Sequence, residues 1–156
     1  MKLAIITQAQ FFVEEDKIIT TLFDEGLDIL HLYKPGSEPL YFKRLLTLIP
    51  EEYHNKIVIH KHYYMKQEFD LGGIHLDFPT QEVPQGYRGK VSRSCNDISM
   101  LKELKRQSRY IFLHNIFDSL HLPQEKASFT TVEIHEAARN GLIDKNVYAL
   151  GGMNAD

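Results

Sequence analysis

The chain has 156 residues, 43% of them hydrophobic and 25% charged, with a formal net charge of −3. That suits one compact domain with a buried core and leaves no basic surface for nucleic acid. No apolar run approaches the roughly 20 residues that a membrane-spanning helix needs, and M-K-L-A-I-I-T is too short an opening for a signal-peptide core. Cys95 is the single cysteine, so an intrachain disulfide is excluded. A cytoplasmic protein with neither nucleic-acid nor membrane partners is expected.

In chain order, a strand is predicted at 3–7 (L-A-I-I-T). A helix follows with the stripe Ile18, Ile19, Leu22 and Phe23, which Gly26 can terminate. The second strand is D-I-L-H-L-Y (28–33), followed by a helix with the stripe Tyr41, Leu45 and Leu48, an N-cap at Ser37 and Pro50 beyond its end. K-I-V-I-H (56–60) and G-I-H-L (73–76) are the third and fourth strands. Residues 77–89 hold Pro79, Pro84 and Gly86 and read as a loop. Then come K-V-S-R-S (90–94), a helix on Ile98, Leu101 and Leu104, and Y-I-F-L-H (110–114). Thr130 and Glu133 have capping-box spacing for a further helix closed by Gly141, and N-V-Y-A-L (146–150) is the last strand.

Most of these strands lack clean polar alternation, as expected where both faces are covered. Strands separated by helical crossovers imply a parallel sheet in an α/β fold. Two arrangements compete: a (β/α)8 barrel and an open doubly wound sheet. A barrel normally needs about 200 residues or more. On that reading residues 1–156 form a single domain truncated after strand 7. Its unpaired edge would favour a homo-oligomer.

Ligands of parallel α/β sheets meet the carboxyl ends of the strands. Here those ends carry His31, Tyr33 and Lys34; His60, Lys61 and His62; His75 and Asp77; Arg93, Ser94, Cys95 and Asn96; His114; and Gly151-Gly152. A zinc-type site is one reading, with His60 and His62 on one side of an extended chain and His75 or Asp77 as the third ligand. Lys61 between the two histidines is a poor neighbour for a dication. An anion site is the preferred reading: Tyr33, Lys34, His60, Lys61 and Arg93 supply donors and positive charge. Gly151-Gly152 would let backbone N–H groups approach a phosphate. Cys95 reads as a packing residue before a nucleophile.

The order of these motifs is familiar. L-A-I-I-T, H-L-Y-K-P-G, K-I-V-I-H, G-G-I-H-L, V-S-R-S-C-N, I-F-L-H-N-I-F-D-S and A-L-G-G-M run along the whole chain. In that order they resemble the thiamin-phosphate synthase family and its thiazole tautomerase relatives. The resemblance implies the (β/α)8 TIM barrel. It also implies a transferase that joins a pyrimidine methyl diphosphate to a thiazole phosphate, with Mg2+ holding the diphosphate and pyrophosphate released.

By the same resemblance Gly151 and Gly152 bind the thiazole phosphate, Ser94 contacts the diphosphate, and His75 is the fourth-strand histidine. Ser94 and Lys61 are then the expected catalytic residues. His31, Tyr33, Lys34, His60, His75, Asn96, His114, Gly151 and Gly152 are the expected substrate- and phosphate-binding residues. Several positions depart from the family pattern. Tyr33 stands at a diphosphate-binding arginine, and His60-Lys61 replaces an Asn-Asp pair that serves magnesium. The second magnesium aspartate falls near Thr80, leaving Asp77 as the nearest candidate metal ligand. His114-Asn115 replaces a Gly-Pro or Ser-Pro start. The diphosphate lysine falls near Leu122, with Lys126 further on. Asn96 takes the place of the tautomerase histidine. Two alternatives therefore stand beside the synthase: a catalytically impaired or regulatory phosphate-binding barrel, and a thiazole tautomerase-type isomerase.

Overall fold

The computed structural model of the chain describes residues 2–114 and 147–150. It divides into two compact units, Met1–His75 and Leu76–Asp156. No helix among the described residues is long and apolar enough to cross a membrane.

The first unit alternates strands and helices: β1 (Ala4–Ile6), α1 (Glu15–Asp24), β2 (Ile29–Leu32), α2 (Pro39–Leu48), a 3-10 turn at Glu51–Lys56, β3 (Ile57–Ile59), the one-turn α3 (Met65–Glu68) and β4 (Gly73–Leu76). Its strands pair parallel in chain order, with Ile6 opposite His31, His31 opposite Val58 and Val58 opposite Gly73. Every crossover thus steps one strand in the same direction, as in a singly wound sheet. A doubly wound sheet reverses at its first strand, so the open alternative is excluded for this unit. β3 and β4 are buried at every position, as expected of parallel strands covered on both faces.

Gly26 ends α1 as expected. Its φ is +103°, and two hydrogen bonds, Gly26 N–H to Phe23 O and Leu27 N–H to Leu22 O, close the last turn. The apolar stripes are partly corrected. In α1 the buried positions are Glu15, Ile19 and Phe23, and Ile18 is exposed. In α2 they are Phe42, Leu45 and Leu46, while Tyr41 and Leu48 face solvent. Ile19 and Phe23 of the first stripe and Leu45 of the second are buried as expected, while the flanking apolar Ile18, Tyr41 and Leu48 widen the sequence pattern beyond the packed face. Ser37 is not the N-cap either. Glu38 holds that position in an extended conformation, and Pro39 starts the helix with its fixed φ and missing N–H.

The second unit contains β5 (Val91–Cys95), a 3-10 turn at Ile98–Met100, α4 (Leu101–Gln107), β6 (Tyr110–His114) and β7 (Val147–Leu150). Its strands are again parallel and in chain order, Ser94 opposite Phe112 and Phe112 opposite Tyr148. The Asp97 carboxylate accepts from the Ser99 N–H at 2.9 Å and so caps the turn into α4. Cys95, Leu101, Leu104, Ile111 and Leu113 form the apolar cluster between sheet and helix. The capping box at Thr130–Glu133 and its closing Gly141 lie outside the described residues.

Gly72 has no room for a side chain. An added Cβ would lie 2.4 Å from the Asn55 carbonyl oxygen, and the Gly72 N–H donates to Ile57 O at 2.8 Å. Rigid backbone on both sides leaves little scope for relaxation. Gly72→Ala is expected to destabilise the protein by about 1–3 kcal/mol, read as a lowered urea midpoint; an unchanged midpoint would show that the β3–β4 connection yields.

Candidate functional site

The parallel register builds a cluster of imidazoles at the carboxyl ends of β2, β3 and β4. Ile59 lies opposite Ile74, so His60 comes level with His75 on the neighbouring strand. Neighbouring strands are about 4.8 Å apart, and the two rings stack at 4.3 Å with an interplanar angle of 25°. His31 pairs with Val58, two residues below His60 and on the same side of the pleat. It meets both other rings edge-on, each at 5.0 Å and 84°. Nδ1 of His31 is 2.8 Å from Nε2 of His60, one ring donating and the other accepting.

His31 and His75 are fully buried, and His60, 8% exposed, marks the rim. The Tyr33 ring, more open to solvent, lies 5.5 Å from His60. Burial, and then the neighbouring His60, hold the pKa of His31 well below the ordinary imidazole value. The ring is therefore neutral at physiological pH, with a lone pair on one nitrogen. Among the described residues, His31, His60 and His75 each bring a ligand atom within 4.8 Å of the other two.

The trio expected for a metal was different. His62 turns away: its φ of 53° ends the extended run, its Nε2 donates to Ser37 O at 2.9 Å, and its ring packs edge-on against Phe42. His31 takes the place assigned to it. Lys61 projects into solvent, where mobile ions screen its charge within about 8 Å.

Lys34 has a structural task in place of the expected contact with phosphate. It is 1% exposed. Its ammonium donates to Glu15 Oε2 at 2.6 Å, Gln8 O at 2.9 Å and Gln10 O at 2.8 Å. Three acceptors fill three N–H bonds, and Phe11 lies beneath at 4.8 Å. Glu15, its partner, had no signal in the sequence because the two stand on different elements.

In the second unit β5 carries Ser92 and Ser94 on one face and Arg93 and Cys95 on the other. Ser94 and Arg93 are buried, and Asn96 is exposed. Arg93 fastens the 77–89 loop, donating through one terminal nitrogen to Pro79 O and Gln81 O. Gln81 in turn accepts from the Asp77 N–H at 3.1 Å. Arg93 is thus a loop anchor where an anion donor was expected. His114 ends β6 opposite Leu150. Its side chain, Asn115, Leu122, Lys126 and the Gly151-Gly152 pair lie outside the described residues.

Magnesium asks for an octahedron of oxygen donors. Among the described residues, no three carboxylates gather to supply one, and the group of donors that does gather is made of imidazole. Asp77 is half-buried beside Gln81, whose side-chain oxygen accepts from its backbone N–H. The described residues thus build no oxygen cage of their own for Mg2+, an ion that commonly takes one or two carboxylates and completes its shell with substrate oxygens.

Two outcomes follow from these contacts. Lys34→Met leaves the Glu15 carboxylate buried without its cation and is expected to cost about 3–5 kcal/mol, whereas Lys34→Met with Glu15→Leu recovers most of the loss. Urea denaturation of the single and double variants checks this; equal costs for both would mean that packing matters and the ion pair does not. Cys95 is 1% exposed and burial raises its thiol pKa. Alkylation of the native protein should run at least about tenfold slower than in denaturant at pH 8, and accelerate only above the usual thiol range. Equal rates would contradict the packed environment.

No protein-family model matches the chain, and a search of curated proteins finds no match. Solved structures do match. The thiamine phosphate pyrophosphorylase from Bacteroides thetaiotaomicron is 47% identical, with a TM-score of 0.86 over 99% of this chain and 74% of that one. The thiamine phosphate pyrophosphorylase from Pyrococcus furiosus, 15% identical, shares the fold, with a TM-score of 0.69 over 98% of this chain and 76% of that one. With that parallel α/β fold, and at 47% identity over nearly its whole length, the chain belongs to the thiamine phosphate pyrophosphorylase, or thiamin-phosphate synthase, family.

Proposed function

We propose that this thiamin-phosphate synthase-like protein couples a pyrimidine methyl diphosphate to a thiazole phosphate with release of pyrophosphate. The observation that carries the reading is the 47% identity, over 99% of the chain, to a structure named for that activity. The chain-order pairing within each unit supports a (β/α)8 barrel of which these strands are the larger part.

In the reaction the bond between the pyrimidine methylene carbon and the diphosphate oxygen breaks, and the thiazole nitrogen bonds to that carbon. Positive charge grows on the pyrimidine as negative charge grows on the departing pyrophosphate. Donors placed on the departing oxygens lower the barrier. Ser94 is the proposed hydroxyl donor, and Lys61 at the rim is the proposed counter-charge. Gly151 and Gly152 are the proposed contacts to the thiazole phosphate, with Tyr33 and Asn96 lining the approach. Magnesium, the ion the resemblance implies, would be bound through the diphosphate oxygens more than through this chain.

Incubation with both substrates and magnesium should yield thiamin phosphate and pyrophosphate in equal amounts, measured by mass spectrometry and phosphate release. Ser94→Ala should lower kcat about 10- to 100-fold, the worth of one hydrogen bond to a charged group. The second reading, a regulatory phosphate binder, is favoured by His60-Lys61 at the place of the Asn-Asp pair. Binding of both substrates without turnover would replace the synthase reading with that one.

A further inference from the structure

We propose that His31, His60 and His75 form a three-imidazole site for a divalent transition-metal ion of the zinc type, with the fourth coordination position open at the rim to an oxygen ligand. The inference stands apart from the reaction proposed above: it concerns which ion this rim takes, and its test needs no turnover.

The geometry is close to what coordination demands. A tetrahedral ion with Zn–N bonds of about 2.0–2.1 Å holds its ligand nitrogens about 3.4 Å apart. The His31–His60 pair here is at 2.8 Å and the set spans at most 4.8 Å. Small ring rotations that open the first separation and close the widest bring all three lone pairs onto one point. The three rings come from adjacent strands of a paired sheet, so their Cα positions hold still while the rings turn. The hydrogen bond between His31 and His60 is exchanged for two coordinate bonds. Each neutral ring then carries its proton on the remote nitrogen, and no net charge is lost.

The donor chemistry selects the ion. Imidazole suits zinc, copper, iron and nickel, whereas magnesium and calcium require oxygen. Three protein ligands are also the number that leaves a position free, the pattern of sites that act on a ligand rather than merely brace a fold. His60 is the ring nearest solvent, so it is the side on which the ion enters and the fourth ligand sits. Three neutral imidazoles leave the ion its full double charge, which draws an anionic oxygen such as that of a phosphate. Nearby cations oppose this only weakly: Lys34 is neutralised by Glu15, and Lys61 extends into water.

The alternative is a hydrogen-bonded histidine cluster that packs the rim and binds nothing. Chelator-treated protein, titrated with Zn2+ by calorimetry and with Co2+ by its ligand-field absorption, separates the two. One equivalent is expected to bind with micromolar or tighter affinity, to give a tetrahedral cobalt spectrum and to raise Tm, while millimolar Mg2+ does not compete. His60→Asn and His75→Asn should each weaken binding at least about tenfold, and His62→Asn should leave it unchanged. If His75→Asn fails to fold, His60→Asn decides, its ring lying at the rim. Absence of stoichiometric binding, binding unaltered by His60→Asn, or an equal loss in His62→Asn would overturn the site.

Discussion

The parallel register of β2, β3 and β4 is the constraint on which the rim depends. Backbone hydrogen bonds fix which residue of one strand lies beside which of the next, and strand spacing fixes how far apart their side chains stand. His60 and His75 stack because the ladder makes them level, and His31 lies beneath because it sits two residues lower on the same side of the pleat. A slip of one residue would turn each histidine to the opposite face of the sheet. The apolar residues of β3 and β4, buried at every position, resist such a slip.

Charge near the strands is divided between structure and solvent. Lys34 is sealed over the Phe11 ring by Glu15 and two carbonyls and holds the loop after β1 against the end of β2. Thr7 adds to that junction, accepting from the Tyr33 N–H and donating to Tyr33 O. Arg93 does similar work in the second unit by gripping the 77–89 loop. Two cations that a reader of the sequence would assign to a phosphate therefore anchor loops. Lys61 is left in water, and imidazoles occupy the interior of the rim. The resemblance implies oxygen-bound magnesium, whereas the donor atoms that gather among the described side chains are imidazole nitrogens.

Short strands rich in Ile, Leu and Val, each bounded by Gly, Pro or polar residues, were legible in the sequence, and all seven occur where their composition places them. Backbone propensity and burial on both faces act locally, so a local pattern reports them. The identity of the buried helix positions was less legible. Tyr41 and Leu48 are apolar enough to extend a stripe, yet packing faces them outward and buries Phe42 and Leu46. The single-turn α3 and the 3-10 turn before β3 are too short to leave a periodic signal.

The sequence by itself determined the parallel α/β architecture, the placing of histidines at strand ends and the resemblance to a thiamin-phosphate synthase. Each follows from composition, spacing or motif order along the chain. Only the tertiary structure decided which histidines meet. His60 and His62 are neighbours in sequence but part at the positive φ of His62, while His31, His60 and His75 are brought together from three strands. It likewise decided that Lys34 belongs to Glu15. The physical reason is the same in both cases: register and packing set distances between residues that are remote in the chain, and no local pattern encodes them.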